Sequence, residues 1–305
     1  MPIQQDERRG IAYAASGFAL LSVGDAVIKT MAGEASPIGV AALRFVIGAV
    51  GLSLLLLRAE GARGFVPRRP WMQLARGFCL AGATLCFFSA IFVMPLADAM
   101  ALAFVAPIFV ALLSGPLLKE RVRPMVWVVS VIALCGVALI LRPNLIELGW
   151  VAGLPLASAF FFSLMVIANR ASAADGSALS MQAYIAIGAA VFLSLAAWAG
   201  HASGVEALRL SAPDWTVVAH CAVVAITAST AHWLAYLGTM RAGAATIAPT
   251  TYIQIVVATV LGYLLFEDMP DLVTVAGAAT VILAGLLLWR STARARPVGR
   301  AVQTR

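Results

Sequence analysis

Residues 96–122 read LADAMALAFVAPIFVALLSGPLLKERV, an apolar run that closes on a cluster of charges. An α-helix rises 1.5 Å per residue, so about 20 apolar residues cross the hydrocarbon core of a membrane. Runs of this kind follow one another along the 305 residues, of which 62% are hydrophobic and 11% charged, against roughly 25% charged in soluble domains. The runs lack the alternation of β-strands. The sequence therefore predicts an all-α integral membrane protein.

The apolar runs predict ten transmembrane helices joined by short connections. They lie near residues 11–30, 38–57, 71–93, 97–118, 124–141, 149–169, 179–199, 215–238, 244–265 and 271–289. The first run has no small-residue cleavage pattern after it, so we interpret it as a span rather than a signal peptide. Arg76, at the start of the third span, is expected to snorkel toward the membrane surface.

Basic residues fall mostly on one side of this arrangement. If both termini share a side, sixteen of the 21 Lys and Arg residues lie on it, and only Lys29, Arg142 and Arg209 lie opposite. The positive-inside rule then predicts that both termini are cytoplasmic. The net charge of +7 comes from basic residues in loops beside the spans, so it does not indicate a nucleic-acid partner.

The second half of the chain repeats the first. LLSVGDAVIK (20–29) aligns with FFSLMVIANR (161–170), RFVIGAV (44–50) with YIAIGAA (184–190), and LLSGPLLKE (112–120) with TVLGYLLFE (259–267). The shifts of 141, 140 and 147 residues are nearly constant. Five helices is an odd number, so the second repeat is inverted in the membrane, a build common in secondary transporters. We predict two inverted five-helix repeats, 11–143 and 147–290, and a basic cytoplasmic tail, 291–305.

The stretch at 96–122, followed by a short helix and GVALILRP (136–143), resembles the EamA branch of the drug/metabolite transporter superfamily. The spacing from Pro107 to Glu120 is similar to the pattern of that family. The DAVIK stretch of the first helix, together with Arg44 of the next, resembles a subgroup that includes riboflavin and S-adenosylmethionine uptake carriers. The second half departs from the pattern, with Gln254 where the first has Pro107. The resemblance implies a ten-helix carrier of the cell inner membrane, with a central cavity between its halves.

Charged residues interrupt the first two spans. Ser22, Asp25 and Lys29 share one face of the first helix, and the helix rise places Arg44 at a similar depth. Charges in hydrocarbon are costly, so these should face the protein interior. One interpretation is an ion pair of Asp25 with Lys29 or Arg44 that ties the two helices. The other is a cavity site, in which Arg44 or Lys29 holds an anionic group and Asp25 holds a cationic group or a coupling proton.

A second polar concentration lies on the eighth and ninth helices. His232, Tyr252 and Gln254 supply the aromatic and hydrogen-bonding groups that small-molecule sites use, although interhelical hydrogen bonding is the alternative. Tyr184, which aligns with Arg44, joins the candidates. The predicted substrate-binding or coupling residues are Asp25, Lys29, Arg44, Tyr184, His232, Tyr252 and Gln254.

The sequence carries no HExxH, P-loop or nucleophile-elbow motif, and its connections are too short for a soluble catalytic head. We therefore predict a secondary transporter, not an enzyme. It would move a small polar or amphiphilic metabolite (amino-acid, vitamin or nucleoside-like) by alternating access, with proton coupling as one option. The expected partners are that small molecule and the lipid bilayer, with no cofactor or metal. Monomer and homodimer both remain open, and the alternative function is a non-transporting membrane scaffold or sensor.

Overall fold

The computed structural model describes residues 2–118, 124–172, 175–205, 208–242 and 248–293, and the regular elements among them are helices. The α-helices are α1 (Pro2–Thr30), α2 (Pro37–Glu60), α3 (Pro70–Ile91), α4 (Leu96–Ala103), α5 (Ala106–Leu118), α6 (Pro124–Leu148), α7 (Leu154–Ala171), α8 (Ala178–Ala202), α9 (Trp215–Ala242), α10 (Ile253–Phe266) and α11 (Leu272–Ala293). Short 3₁₀ helices cover Ala62–Phe65, Gly149–Gly153 and Ala248–Tyr252. The predicted all-α class is confirmed. The predicted basic tail lies outside the described residues from 294 onward.

Within the described residues, six helical segments are long and apolar enough to cross a membrane. They are Arg8–Thr30, Pro37–Phe65, Pro70–Ile91, Gly149–Asn169, Ala178–Ala202 and Trp215–Ala235. Four shorter apolar segments occupy the positions of the remaining predicted spans: Leu96–Val110, Trp127–Ile140, Thr250–Phe266 and Leu272–Leu287. Large side chains such as Trp127 and Leu264 are exposed on these helices, as expected for a surface that faces lipid rather than water. The protein is thus a multi-pass membrane protein, and the count of ten spans stays a prediction.

Two of the predicted spans are interrupted. The structure corrects the prediction of one helix at 97–118, because α4 and α5 are separated by a break at Phe104 and Val105. Proline explains the break, since Pro107 has no N–H for the carbonyl group of Ala103 and its ring crowds the preceding turn. In the second half, the 3₁₀ turn Ala248–Tyr252 precedes α10. The ring centroids of Phe104 and Tyr252 lie 5.3 Å apart, so the two irregular segments meet inside the bundle.

Small residues allow the helices to pack closely. α1 packs chiefly on α9, α2 on α8, α3 on α7 and α8, and α6 on α11. A Cβ atom added to Gly77 of α3 would lie 2.6 Å from the Cα of Gly188 on α8. A Cβ atom added to Gly136 of α6 would lie 2.8 Å from the carbonyl oxygen of Gly277 on α11. Close contacts between small residues are typical of helices that associate within a membrane.

Candidate functional site

A central cavity of about 560 Å³ lies among the helices, a volume within the range of small-molecule sites. Its wall is contributed by α1, α2, α3, α7, α8, α9, α10 and the break between α4 and α5. Most of the wall is apolar and includes the rings of Phe18, Phe45, Phe87, Phe88, Phe104 and Phe162. The polar lining residues are Asp25, Arg44, Thr84, Ser158, Gln182, Ser229, His232, Thr251 and Gln254. The cavity therefore combines an aromatic wall with a few polar and charged groups.

Four of the seven predicted binding residues line this cavity: Asp25, Arg44, His232 and Gln254. His232 comes from the middle of α9, and Gln254 from the first turn of α10. The backbone carbonyl of Gln254 accepts a hydrogen bond from Ser22 Oγ at 2.9 Å. This bond joins α1 to α10 about one helical turn before Asp25, which itself lines the cavity.

Arg44 is held by aromatic rings rather than by acidic groups. Its guanidinium carbon lies 4.6 Å from the ring centroid of Phe45 and 5.7 Å from that of Phe88. Cation–π contacts of this kind stabilise a cation where water is excluded. The Nε atom of Arg44 is buried and has no hydrogen-bond partner among the described residues. The guanidinium is therefore positioned in the cavity wall with donor capacity left over.

Asp25 makes neither of the ion pairs that the sequence left open. Asp25 and Arg44 are close enough to interact electrostatically, but no ion pair within 4 Å joins Asp25 to Arg44 or to Lys29. Two opposite charges thus face one cavity without contact between them. Both groups are therefore available to a ligand in the cavity.

Lys29 lies outside the cavity, one helical turn beyond Asp25. Its ammonium forms an ion pair with the carboxylate of Asp268, which follows α10. It also donates a hydrogen bond to the carbonyl oxygen of Met94 at 3.1 Å and lies 4.7 Å from the ring centroid of Phe266. These contacts tie the end of α1 to two other connections. We call this part of the bundle the Lys29 end, with connections 31–36, 92–95 and 267–271.

The backbone at Glu267 directs Asp268 toward Lys29. Glu267 has φ 58° and ψ 19°, in the left-handed region that non-glycine residues seldom adopt. This conformation turns the chain so that the Asp268 N–H donates to the carbonyl oxygen of Gly262 at 3.1 Å, which closes α10. The ion pair of Lys29 therefore rests on a locally strained cap.

Tyr184 and Tyr252 also lie outside the cavity wall, and each has a packing or hydrogen-bonding role. The Tyr184 hydroxyl donates to the carbonyl oxygen of Gly64 at 2.5 Å, which joins α8 to the connection after α2. The Tyr252 ring packs on Phe104, and its hydroxyl points at Gly285 of α11, where a Cβ atom would collide with it. These positions favour structural roles for both tyrosines, and their predicted role in binding stays a prediction.

The opposite end of the bundle carries a second set of polar contacts, which we call the Arg69 end (connections 61–69 and 172–177). Arg69 Nε donates to Asp175 Oδ2 at 2.8 Å, and Arg69 Nη2 donates to the Ala171 carbonyl oxygen at 2.6 Å. The hydrogen bond to Asp175 raises the pKa of the Arg69 guanidinium further above neutrality. Ser177 Oγ donates to the Glu60 carboxylate nearby. The α2–α3 connection is thus bound to the α7–α8 connection.

Arg76 is buried and does not snorkel, which corrects the sequence-based expectation. Its side chain is 4% exposed, and its Nε donates to Asn169 Oδ1 at 2.5 Å. Its Nη1 donates to Gln73 Oε1 and, at 3.3 Å, to the Met181 carbonyl oxygen. Snorkelling is unnecessary because neighbouring helices supply acceptors inside the bundle. Arg76 therefore joins α3 to α7 and α8 beside the Arg69 end.

Several cavity residues escaped sequence reasoning. Thr84, Ser158 and Gln182 line the cavity, yet each is a single polar residue in an apolar helix and resembles a routine interhelical contact. Ser158 makes such a contact, since its Oγ donates to the Ala83 carbonyl oxygen at 2.8 Å. Their position on the cavity side depends on helix rotation, which the hydropathy of the sequence does not encode.

A bundle of membrane-crossing helices around a partly charged cavity, with polar contacts across both ends, has the architecture of a membrane transporter. Residues 8–142 match the EamA-like transporter family, so the predicted resemblance is confirmed. A crystal structure with 22% sequence identity superposes with a TM-score of 0.62, covering 94% of this chain and 98% of the other. At that identity the likeness establishes the fold alone.

Curated relatives cover most of the chain. The pseudopaline exporter CntI of Pseudomonas aeruginosa is 28% identical over 289 residues, 93% of this chain and 97% of that protein. The S-adenosylmethionine uptake transporter of Rickettsia prowazekii is 23% identical over 92% of each chain. The riboflavin transporter of Rhizobium johnstonii is 24% identical over 79% of this chain and 78% of that protein. The protein is thus a transporter of small metabolites embedded in a membrane.

Proposed function

We propose that this protein is a secondary transporter of the cell inner membrane that moves a small metabolite by alternating access. The observation that carries the proposal is the cavity in which Asp25 and Arg44 face one space without an ion pair to each other or to another described residue. Burying unpaired charges is costly, and a scaffold or sensor has no need of them. A polar solute that crosses a membrane needs such a site part of the way across.

Two inverted repeats, 11–143 and 147–290, suit this mechanism. Ser36 and Ser177 are 141 residues apart, and each caps the next helix by accepting a hydrogen bond from a backbone N–H three residues later. Gly136 and Gly277 are also 141 residues apart and contact each other reciprocally. Contacts between matching positions are expected on a two-fold axis between repeats. The two serines and the two glycines therefore support the repeat, with the shift of 141 residues found for the first aligned pair of sequences.

The helix interruptions support the same symmetry. The break at Phe104 and Val105 and the 3₁₀ segment at Thr251 and Tyr252 are separated by 147 residues, the shift of the third aligned pair. Secondary transporters build their substrate sites around discontinuous helices near the middle of the membrane. Both irregular segments contribute residues to the cavity wall, in agreement with a site at the interface of the two repeats.

The two ends of the bundle offer gates on opposite sides of the cavity. With both termini cytoplasmic, the Lys29 end faces outward and the Arg69 end faces the cytoplasm. Opening outward would separate Lys29 from Asp268, and opening inward would separate Arg69 from Asp175. Each gate is a single ion pair with a few hydrogen bonds, which is weak enough to exchange on the time scale of transport.

Energy would come from an ion gradient or from the substrate gradient itself, since the sequence carries no P-loop. A proton is one candidate coupling ion. Asp25 is the carboxylate in the cavity wall, and the charged or titratable groups that face it across the cavity are Arg44 and His232. Protonation of Asp25 would change the charge of the cavity and therefore its preference for a charged substrate.

Flux in proteoliposomes tests the proposed function. Metabolites of cells with and without the gene are compared first, and the compounds that change are offered to the reconstituted protein in both directions, because the relatives include an exporter and uptake carriers. We expect saturable flux of at least one compound, abolished in Arg44→Gln. A correctly folded protein that moves none of these compounds under any gradient would contradict transport and favour the scaffold or sensor.

A further inference from the structure

We propose that the cavity binds a zwitterionic metabolite. Its anionic group, such as a carboxylate, would pair with Arg44, its protonated amine with Asp25, and its apolar or aromatic remainder would lie against the phenylalanine rings. This inference rests on the proposed transport function and narrows its substrate to a charge class.

The first step concerns Arg44. Among the described residues, Arg44 has no hydrogen-bond acceptor and no ion pair, and its Nε is buried. The Phe45 and Phe88 rings contact the guanidinium but supply no oxygen acceptor for its N–H groups. A guanidinium presents donors in a planar fork that matches a carboxylate. A ligand carboxylate would supply the hydrogen-bond acceptors that the described residues do not provide for Arg44.

The second step concerns Asp25. Lys29, the basic residue nearest to it in sequence, is occupied by Asp268 and the Met94 carbonyl oxygen and does not neutralise Asp25. Asp25 has no hydrogen bond or ion pair with another described residue, and it lines the cavity. A carboxylate in that position attracts a cation. An ammonium group carries three donors and would satisfy it.

The third step concerns the balance of the two charges. Asp25 and Arg44 cancel in net charge, so a neutral zwitterion pairs with both. A ligand with only a carboxylate would leave Asp25 buried and unpaired. A ligand with only an amine would leave Arg44 buried and unpaired. An unpaired buried charge opposes binding strongly, which makes the arrangement selective.

The cavity wall indicates the chemistry of the uncharged part of the ligand. Phe18, Phe87 and Phe104 line the same cavity as the charged pair, and flat rings pack on such side chains in edge or offset contact. Gln254 and His232 add further hydrogen-bonding groups to the cavity wall. Amino acids with apolar or aromatic side chains, and larger metabolites that carry an amino-acid end, fit this chemistry.

A panel of charge-matched probes tests the inference by binding alone, without flux. The purified full chain in nanodiscs is titrated with phenylalanine, phenethylamine and 3-phenylpropionate, with tryptophan, tryptamine and indole-3-propionate, and with methionine and its amine-only and acid-only analogues. We expect at least one zwitterion to bind at least tenfold more tightly than both of its single-charge analogues. If no zwitterion binds, or if an analogue binds as tightly, the inference is overturned.

Variants assign the two charges to their residues. Arg44→Gln should remove the advantage of the zwitterion over the amine-only analogue, and Asp25→Asn its advantage over the acid-only analogue. Arg44→Lys keeps the charge and should retain part of the selectivity. Arg58→Gln and Glu34→Gln, exposed positions on α2 and just after α1, serve as matched controls. A monodisperse Arg44→Gln protein with unchanged selectivity would overturn the role of Arg44.

The binding and transport results are separable. Charge-selective binding without flux leaves this inference standing and contradicts transport. Flux of a compound that lacks one of the two charges, unaffected by Arg44→Gln, leaves transport standing and overturns the zwitterion.

Discussion

At the scale of single residues, the two arginines inside the bundle have opposite environments. Arg44 faces the cavity with an unpartnered Nε, whereas Arg76 is bonded to Asn169, Gln73 and Met181. The same side chain is therefore free to act on a ligand in one case and committed to the fold in the other. From the sequence, Arg44 is expected inside the protein but Arg76 at the membrane surface, since Asn169 and Met181 are distant from Arg76 along the chain.

Replacing Arg76 should affect stability rather than affinity. Arg76→Gln would leave Asn169 and Gln73 without their buried partner, at about 1–3 kcal/mol. We expect a lower unfolding temperature in nanodiscs together with unchanged substrate affinity in the folded fraction. Arg58→Gln, on the exposed face of α2, is the control. An Arg76→Gln protein that unfolds like the parent but binds more weakly than Arg44→Gln would contradict this assignment.

Asp25 should determine any pH dependence of transport. Asn has nearly the shape of Asp but neither takes up a proton nor carries charge, so Asp25→Asn removes the titratable carboxyl group from the cavity. We expect gradient-driven uptake to be lost or to become independent of pH between about 5 and 8, as measured in proteoliposomes buffered on both sides. His232→Gln is the companion variant, because the imidazole of His232 also lines the cavity. Unchanged pH-dependent flux in Asp25→Asn would exclude proton coupling through this residue.

At the scale of elements, glycine determines which helices meet. α3 and α8 approach so closely at Gly77 and Gly188 that no side chain fits between them. Gly51 of α2, in contrast, has nothing within 4 Å of where a Cβ atom would lie. Two glycines in similar apolar helices therefore have different consequences, which sequence composition does not distinguish.

Gly77 and Gly51 make a matched pair of positions for substitution. Gly77→Ala should push α3 from α8 and lower stability by about 1–3 kcal/mol through overpacking. Gly51→Ala should be neutral or should raise stability by up to about 1 kcal/mol, because alanine favours the helix. Thermal unfolding of both variants in the same nanodiscs measures the difference. Equal behaviour of the two proteins would mean that the α3–α8 contact is not tight in the membrane.

The helices also show how much of the structure can be predicted from the sequence. Hydropathy predicted the helical class and the location of the apolar segments, because the bilayer imposes both length and polarity on a spanning helix. Four of seven predicted site residues line the cavity for a related reason, since unusual polarity within a span marks an inward face. The partner of Lys29 could not be predicted. It depends on the left-handed backbone of Glu267, a conformation that the stretch FEDMPD (266–271) does not signal.

At the scale of the whole molecule, alternating access predicts that the Lys29 end must open. Lys29→Cys and Asp268→Cys, in a background free of the four native cysteines, should be joined by a short bifunctional reagent that forms a disulfide with each thiol. We expect the joined protein to bind substrate from the cytoplasmic side but to lose flux, and a reductant that cleaves the linker to restore it. Either single-cysteine protein treated in the same way is the control. Full flux in the joined protein would exclude this end as a gate.

The contact between Gly136 and Gly277 has a consequence for how the chain evolved under the proposed repeat. A residue on the axis meets its own counterpart, so a change in a shared ancestral unit would have appeared on both sides of one contact, whereas off-axis positions could diverge independently. Gly136 and Gly277 remain identical, with Ile140 and Val281 packed against them. Asp25, which aligns with Val166, lies away from this contact. Specialisation of the substrate site was therefore open to one half at a time, while a larger residue at either Gly136 or Gly277 would collide with the backbone of the other half.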